Sequence, residues 1–229
     1  MLKHLLLQIC PVVLVVTAAT PSSAGGVIEG TVSFAGKAPK RKVLDRSTDR
    51  FCAQTKTLSE DIVVTGGKVR DVHVSLDPGP VGAHKPPEKP VVNRQKNCMY
   101  RPRVVGVMAG QSLAVTNDDK NFHMVRANIG KQILFNRAQP AGADAIPANA
   151  EKAGSVMSFH CDVHPWMRAY AVVTAHPFFD VTKDDGAFEV ADVPPGRYTL
   201  RAWHPKLGTK TKRIVVTEGK VTTVSFELR

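Results

Sequence analysis

A thiol, an imidazole and a thioether lie within seven residues of one another in the run S-F-H-C-D-V-H-P-W-M-R, residues 158–168. Cys161, His164 and Met167 stand there at C-x-x-H-x-x-M spacing. An apolar, strand-like stretch leads into the run. Pro165 favours a tight loop after it, so the three side chains can turn toward one point. Thiolate, thioether and imidazole form a soft donor set that suits copper better than calcium or magnesium. A trigonal site of one Cys and two His with a weak axial Met needs a second imidazole. His123 offers it, in T-N-D-D-K-N-F-H-M-V, after a second apolar stretch.

The same residues carry plainer readings. C-x-x-H is half of a zinc site, although no second C-x-x-C or H-x-x-x-H completes one. Cys161 could also be a structural thiol or half of a disulfide. The chain has four cysteines, and Cys10 lies in a segment expected to be removed. Of Cys52, Cys98 and Cys161, two should pair in an oxidising compartment. Cys161 sits among metal donors, so Cys52–Cys98 is the expected disulfide.

The compartment is read from the first residues. Met1-Leu2-Lys3-His4 is a short basic head, residues 5–19 are almost wholly apolar, and Pro21-Ser22-Ser23-Ala24 follows. Ser22 and Ala24 are small residues where a signal peptidase needs them, which predicts a leader over residues 1–24. The apolar stretch falls short of the ~20 residues of a membrane span. The mature chain is therefore expected to be periplasmic or secreted, with no membrane span.

Strand formers and turn residues dominate the rest, with 17 Gly and 16 Pro. No long 3.6-residue period appears, which points to an all-β protein. The formal charge of +11 favours an acidic partner protein, an anionic lipid or a polyanionic wall polymer. Nucleic acid is not expected as a partner, since no basic motif is interleaved with aromatics. Alternation predicts a strand at residues 27–34 and a hairpin around Gly66-Gly67. The Pro- and Gly-rich residues 77–90 read as a loop. Strands are expected at 104–108, 112–116, 155–160 and 170–174, and residues 128–147 read as an excursion with little pattern. Short strands and tight turns fill the remainder to residue 229. Catalytic triads, phosphate-binding glycine loops and paired carboxylates are not recognisable.

Residues 100–174 resemble the cupredoxin family of small blue copper proteins. The resemblance rests on Y-R-P-R-V-V-G-V-M-A-G-Q-S-L-A-V-T-N-D-D, then His123, then F-H-C-D-V-H-P-W-M-R. The short ligand loop is most similar to that of the amicyanin type. This resemblance implies a Greek-key β-sandwich binding one copper ion that cycles between Cu(II) and Cu(I). His123, Cys161 and His164 would be equatorial ligands, Met167 the axial one, and His164 the more exposed imidazole. His160, Trp166, Asn117 and Arg126 would surround them. The stretch D-G-A-F-E-V-A-D-V-P-P-G-R-Y-T-L and the opening I-E-G-T-V-S-F-A-G-K-A-P resemble a carboxypeptidase regulatory-like, or transthyretin-like, β-sandwich. Exported bacterial proteins of the methylamine-utilisation or plastocyanin-like type join the two. Three departures stand out. Met124 follows the first ligand where the family carries Asn. Arg126 and Arg103 occupy positions where related fused proteins often carry His, and cations there would raise the reduction potential.

The expected organisation is a leader over 1–24 and an N-terminal β segment over 25–89 pairing with the C-terminal sandwich. A copper domain over 90–175 and that sandwich over 176–229 complete it. The expected function is non-enzymatic one-electron transfer to a transient acidic redox partner. The alternatives are a periplasmic copper carrier or storage protein, and a surface binding module with incidental metal.

Overall fold

Alternation of apolar and polar residues makes strands of most of the chain. The computed structural model describes residues 25–80 and 82–229. The expected leader, with Cys10, lies outside the described residues. β1 (Gly26–Phe34), β2 (Val64–Thr65), β3 (Lys68–Val69) and β4 (His73–Leu76) come first. The middle of the chain forms β5 (Val91–Gln95), β6 (Tyr100–Arg101), β7 (Val104–Met108), β8 (Ser112–Asn117), β9 (His123–Ile129), β10 (Gln132–Gln139), β11 (Ile146–Asn149), β12 (Val156–Cys161) and β13 (Arg168–Thr174). β14 (Phe179–Val181), β15 (Ala187–Val193), β16 (Gly196–His204), β17 (Gly208–Val216) and β18 (Val221–Leu228) follow. Among the described residues one short 3-10 turn, Cys52–Gln54, is helical.

The strands make four sheets that pack as two sandwiches. In the middle sandwich, a five-stranded sheet β10-β9-β12-β13-β7 faces a four-stranded sheet β11-β8-β5-β6. Its core holds Tyr100, Val107, Leu113, Val115, Val125, Met157 and Phe159. In the outer sandwich, β1 carries β15 and β3 on one side and β18 on the other, and faces the sheet β14-β4-β16-β17. Ile28, Val32, Val74, Leu200, Phe226 and Leu228 fill its separate core. Each large apolar side chain buried in this way contributes about 1.5–3 kcal/mol.

The outer sandwich is built from both ends of the chain. β1 runs parallel to β18 from Val27↔Val221 to Phe34↔Leu228 and antiparallel to β15. β4, from the N-terminal part, pairs with both β14 and β16. The middle sandwich is thus spliced between β4 and β14, which anchors its entry and exit in one sheet. Gly106 of β7 lets the sandwiches approach, because a Cβ there would lie 2.2 Å from the Phe179 ring.

Residues 128–147 are more ordered than their sequence suggests. They finish β9, turn at Gly130, and form β10 and the first half of β11. β10 is a sheet edge with exposed residues on both faces, so no buried face imposes an alternating pattern. β5 escapes the pattern for the opposite reason. Its Asn93 and Gln95 are polar yet buried, Asn93 donating to the Pro102 carbonyl at 2.6 Å and Gln95 to Gln139 Oε1 at 2.5 Å.

Candidate metal centre

Period-two alternation aims the donors. On β12, Met157, Phe159 and Cys161 point into the core, while His160 lies on the outer face. On β9, His123, Val125 and Ala127 are fully buried, and Met124 and Arg126 face outward. Cys161 sits opposite Val125, so His123, two residues on, is a same-face neighbour of the thiol. Beyond Cys161 the chain turns tightly. The Met167 N–H donates to the His164 carbonyl at 2.9 Å, and the Met167 carbonyl accepts from the Cys161 N–H at 3.3 Å. That closure swings His164 back over the thiol. Met167 is fully buried in the same core as Cys161.

Three donor atoms converge. His123 Nδ1 lies 3.0 Å from His164 Nδ1. Cys161 Sγ is 3.8 Å from the first nitrogen and 3.5 Å from the second. The far side of each ring meets a carboxylate. His123 Nε2 is 3.0 Å from Asp119 Oδ2, and His164 Nε2 is 3.1 Å from Asp49 Oδ2. Burial pushes both carboxyls up, but hydrogen bonds from surrounding donors more than offset it and hold both below the ordinary carboxylate range. An ionised carboxylate only accepts, so each imidazole carries its proton on Nε2. Both Nδ1 atoms then face one another and the sulfur.

The thiol is prepared as a donor too. Burial raises its pKa, but hydrogen bonds with His123 and His164, and from the Met124 and Val163 N–H groups, lower it from 9.0 to about 6. The Met124 N–H donates to Sγ at 3.4 Å. For His123 and His164 burial disfavours the charged ring, yet the carboxylates and the thiolate outweigh it and raise both pKa values. Two imidazole nitrogens and a thiolate gathered at one buried point require protons or a cation among them. The donor set therefore fits a soft or borderline transition-metal ion.

The surrounding residues divide. The Trp166 ring centroid is 5.2 Å from that of His164, and its indole N–H donates to the Cys98 carbonyl at 3.0 Å. Asn117 accepts the Asp119 N–H at 3.0 Å and donates to the carbonyls of Asn121 and Gln139 at 2.8 and 3.0 Å. It shapes the turn that presents Asp119. His160 and Arg126 pair across the outer face, away from the donors. Arg126 is bound to Asp162 at 3.0 Å. Arg103 is buried, paired with Asp61 at 3.2 Å and stacked over Tyr170 at 5.5 Å.

His164 is the more exposed of the two imidazoles only by a margin, at 2 % against 0 % for His123. The segment over residues 43–58, pinned at its base by the Val43↔Leu58 bridge, lies across it. Cys52 of that segment is bonded to Cys98, with Cα atoms 5.7 Å apart, and its Sγ lies 3.6 Å from His164 Nε2. Asp49 and Asp119 were missed in the sequence. Asp119 precedes His123 by four residues and could have been noticed; Asp49, 115 residues from His164, leaves no local signal.

Residues 169–229 match the family model of the carboxypeptidase regulatory-like domain. The C-terminal segment is thus similar to a carboxypeptidase regulatory-like domain. Its match begins within β13 and extends through the regulatory-like strands to β18. No curated protein sequence matches the chain. Among solved structures, a purple cupredoxin from Nitrosopumilus maritimus is 22% identical, covers 37% of this chain and 99% of its own, and has a TM-score of 0.32. Amicyanin from Paracoccus versutus is 22% identical, with 39% and 91% coverage and a TM-score of 0.34. Pseudoazurin from Methylobacterium extorquens is 21% identical, with 38% and 76% coverage and a TM-score of 0.32. No helix among the described residues is long and apolar enough to cross a membrane.

Proposed function

We propose that this chain is an exported mononuclear blue copper protein that moves one electron at a time. His123 Nδ1, Cys161 Sγ and His164 Nδ1 would hold the ion, and the Met167 thioether would be a weaker fourth donor. Copper contributes the Cu(II)/Cu(I) couple; the protein contributes a fixed, dry donor set. The observation that carries this reading is the convergence of both Nδ1 atoms and the thiol at 3.0–3.8 Å. A four-donor site leaves no open position for a substrate, so no catalysis is expected. The Cys52–Cys98 disulfide agrees with an oxidising compartment. The leader over 1–24, the copper domain over 90–175, and the flanking segments 25–89 and 176–229 are part of the same proposal. The +11 charge suits a brief, salt-sensitive contact with an acidic redox partner.

The covered His164 favours a second reading, a copper carrier or store that holds its ion rather than exchanging electrons rapidly. Cu(II) titration of the mature protein tests the first reading. An intense visible thiolate-to-copper band, lost in Cys161→Ser, and a reversible one-electron wave are expected. A copper-loaded protein without that band or that wave leaves the carrier reading. Preferential retention of zinc overturns both.

A further inference from the structure

The two carboxylates that hold the imidazoles are joined to each other. Asp49 Oδ1 accepts the Cys52 N–H at 2.8 Å, and Asp119 Oδ2 accepts the Cys98 N–H at 2.8 Å. Cys52 and Cys98 are the two halves of one disulfide. A closed circuit therefore runs around the donors: His164, Asp49, Cys52, Cys98, Asp119, His123. Each carboxylate accepts one further hydrogen bond. Asn121 Nδ2 donates to Asp49 Oδ2 at 2.9 Å, and the Asn97 N–H donates to Asp119 Oδ1 at 2.6 Å.

The segment that brings Asp49 in is itself clamped. Arg46 is 4 % exposed and donates to Thr55, to Thr57 and to the Asn97 carbonyl, the last at 2.8 Å. Its guanidinium lies 5.8 Å from the Trp166 ring centre. The cover is thus fastened to both the ligand loop and the loop that carries Cys98.

We infer that Asp49 and Asp119, braced by the Cys52–Cys98 disulfide, are positioning residues of the metal centre that bias it toward Cu(II). The inference rests on the copper reading above and adds what sets the properties of that copper. Each carboxylate fixes the Nε2–H tautomer and the ring orientation, as partners of ligating histidines do. Together with the Cys161 thiolate they place three formal negative charges beside the ion. A dication gains more from each charge than a monocation does. The disulfide keeps both arms at fixed separation. Asp49 also closes the His164 edge to small anions.

A merely structural tie would move stability and nothing else, so potential and spectrum decide. Wild type, Asp49→Asn, Asp119→Asn and the double variant Cys52→Ala/Cys98→Ala are compared as copper-loaded mature chains. Each Asn variant is expected to bind Cu(II) 10–100-fold more weakly. Cu(I) binding should fall less, so that the Cu(II):Cu(I) affinity ratio drops about tenfold. That ratio is a midpoint rise of ~59 mV for a one-electron couple. The disulfide variant should shift the same way and broaden the charge-transfer band. Azide should perturb the spectrum of Asp49→Asn at lower concentration than that of wild type. Folded Asn variants with wild-type midpoint and affinity overturn the inference while leaving the copper reading intact. A wild type that takes up no copper overturns both. If the variants do not fold, Cu(I)-loaded wild type serves instead. The Nε2–H protons of His123 and His164 should exchange slowly with water in nuclear magnetic resonance spectra, and rapid exchange of either overturns the inference.

Discussion

His123 and His164 are 0 % and 2 % exposed, and His73 and His204 are 0 % and 1 % exposed, yet the two pairs sit in opposite chemistry. The first pair has a carboxylate on each remote nitrogen and a thiol between the rings. The second pair belongs to the outer sandwich and makes no hydrogen bond to a carboxylate. Neither nitrogen of His73 has a hydrogen-bond partner, and its ring stacks on Phe179 at 5.3 Å. His204 accepts the N–H groups of Lys206 and Leu207 through Nδ1, both at 3.2 Å, while its Nε2 is bare. Desolvation, reinforced by Arg201 and His176, lowers His73 from 6.5 to about 3. Desolvation and then Arg103 lower His204 to about 3, against an opposing pull from Asp61. Burial alone therefore makes a histidine a neutral core side chain. Burial with a carboxylate behind and a thiolate in front raises its pKa instead.

The sharpest way to break that contrast is to remove one histidine from each region. His123→Leu should abolish stoichiometric Cu(II) uptake and the visible band. His73→Leu should leave both unchanged. It should also raise stability by about 1–3 kcal/mol, because two buried nitrogens without partners disappear. Metal analysis after gel filtration and urea unfolding of the metal-free proteins measure the two effects. Copper loss in His73→Leu would mean that the sandwiches are coupled more tightly than their separate cores suggest.

Acid distinguishes the regions by sign. His73 and His204 stay neutral in the folded chain down to about pH 3, whereas in the unfolded chain they gain protons below their ordinary value of 6.5. Their contribution is therefore complete above pH 6.5. It falls as the pH drops toward 3, by ~1.4 kcal/mol per pH unit for each residue. The raised values of His123 and His164 act oppositely in the metal-free protein: they favour folding at low pH and lose that contribution as the pH rises through them. Unfolding free energies of metal-free wild type and His73→Leu between pH 7 and 5 should diverge on acidification, the variant losing less. Parallel curves would place a proton on His73 in the folded state.

The same contrast explains what could be read before the fold was known. The nearness of Cys161 and His164 was legible because they are close in sequence and β12 announces itself by alternation. The cysteine count left Cys52–Cys98 as the pair, and those two residues are bonded. The all-β class and the C-terminal strands followed from turn residues and period-two patterning, whereas the regulatory-like likeness came from resemblance to a family. Asp49 was invisible because a cover segment has no periodicity, and its role exists only when a disulfide lays it across His164. How deeply His164 is covered is invisible for the same reason: exposure depends on what lies above a residue, which its own neighbours in sequence do not encode. β5 and β10 were missed because one turns polar side chains inward and the other is solvated on both faces.

The smallest expected effect concerns Arg126, whose charge the sequence suggests should raise the potential. It stands on the outer face of β9, 38 % exposed, and its guanidinium is bound to Asp162 at 3.0 Å. Asn136 also donates to Asp162, at 2.8 Å, and the Asp162 N–H donates to the Met124 carbonyl at 3.0 Å. These bonds tie β9 and β10 to the loop that follows Cys161. Arg126→Gln leaves the Asp162 carboxylate without its cation beside Cys161. The midpoint should fall, opposite in sign to the rise in Asp49→Asn, and by less, because both partners are in contact with water. Stability should drop by no more than ~1 kcal/mol. Raising the salt should shrink the midpoint difference, since an exposed charge is screened, while the Asp49→Asn rise, arising in a covered site, should persist. Redox titrations of both variants at low and high salt test this. A salt-insensitive fall in Arg126→Gln as large as the Asp49→Asn rise would mean that outer-face charge reaches the donors through β9 as strongly as the carboxylates that touch the rings.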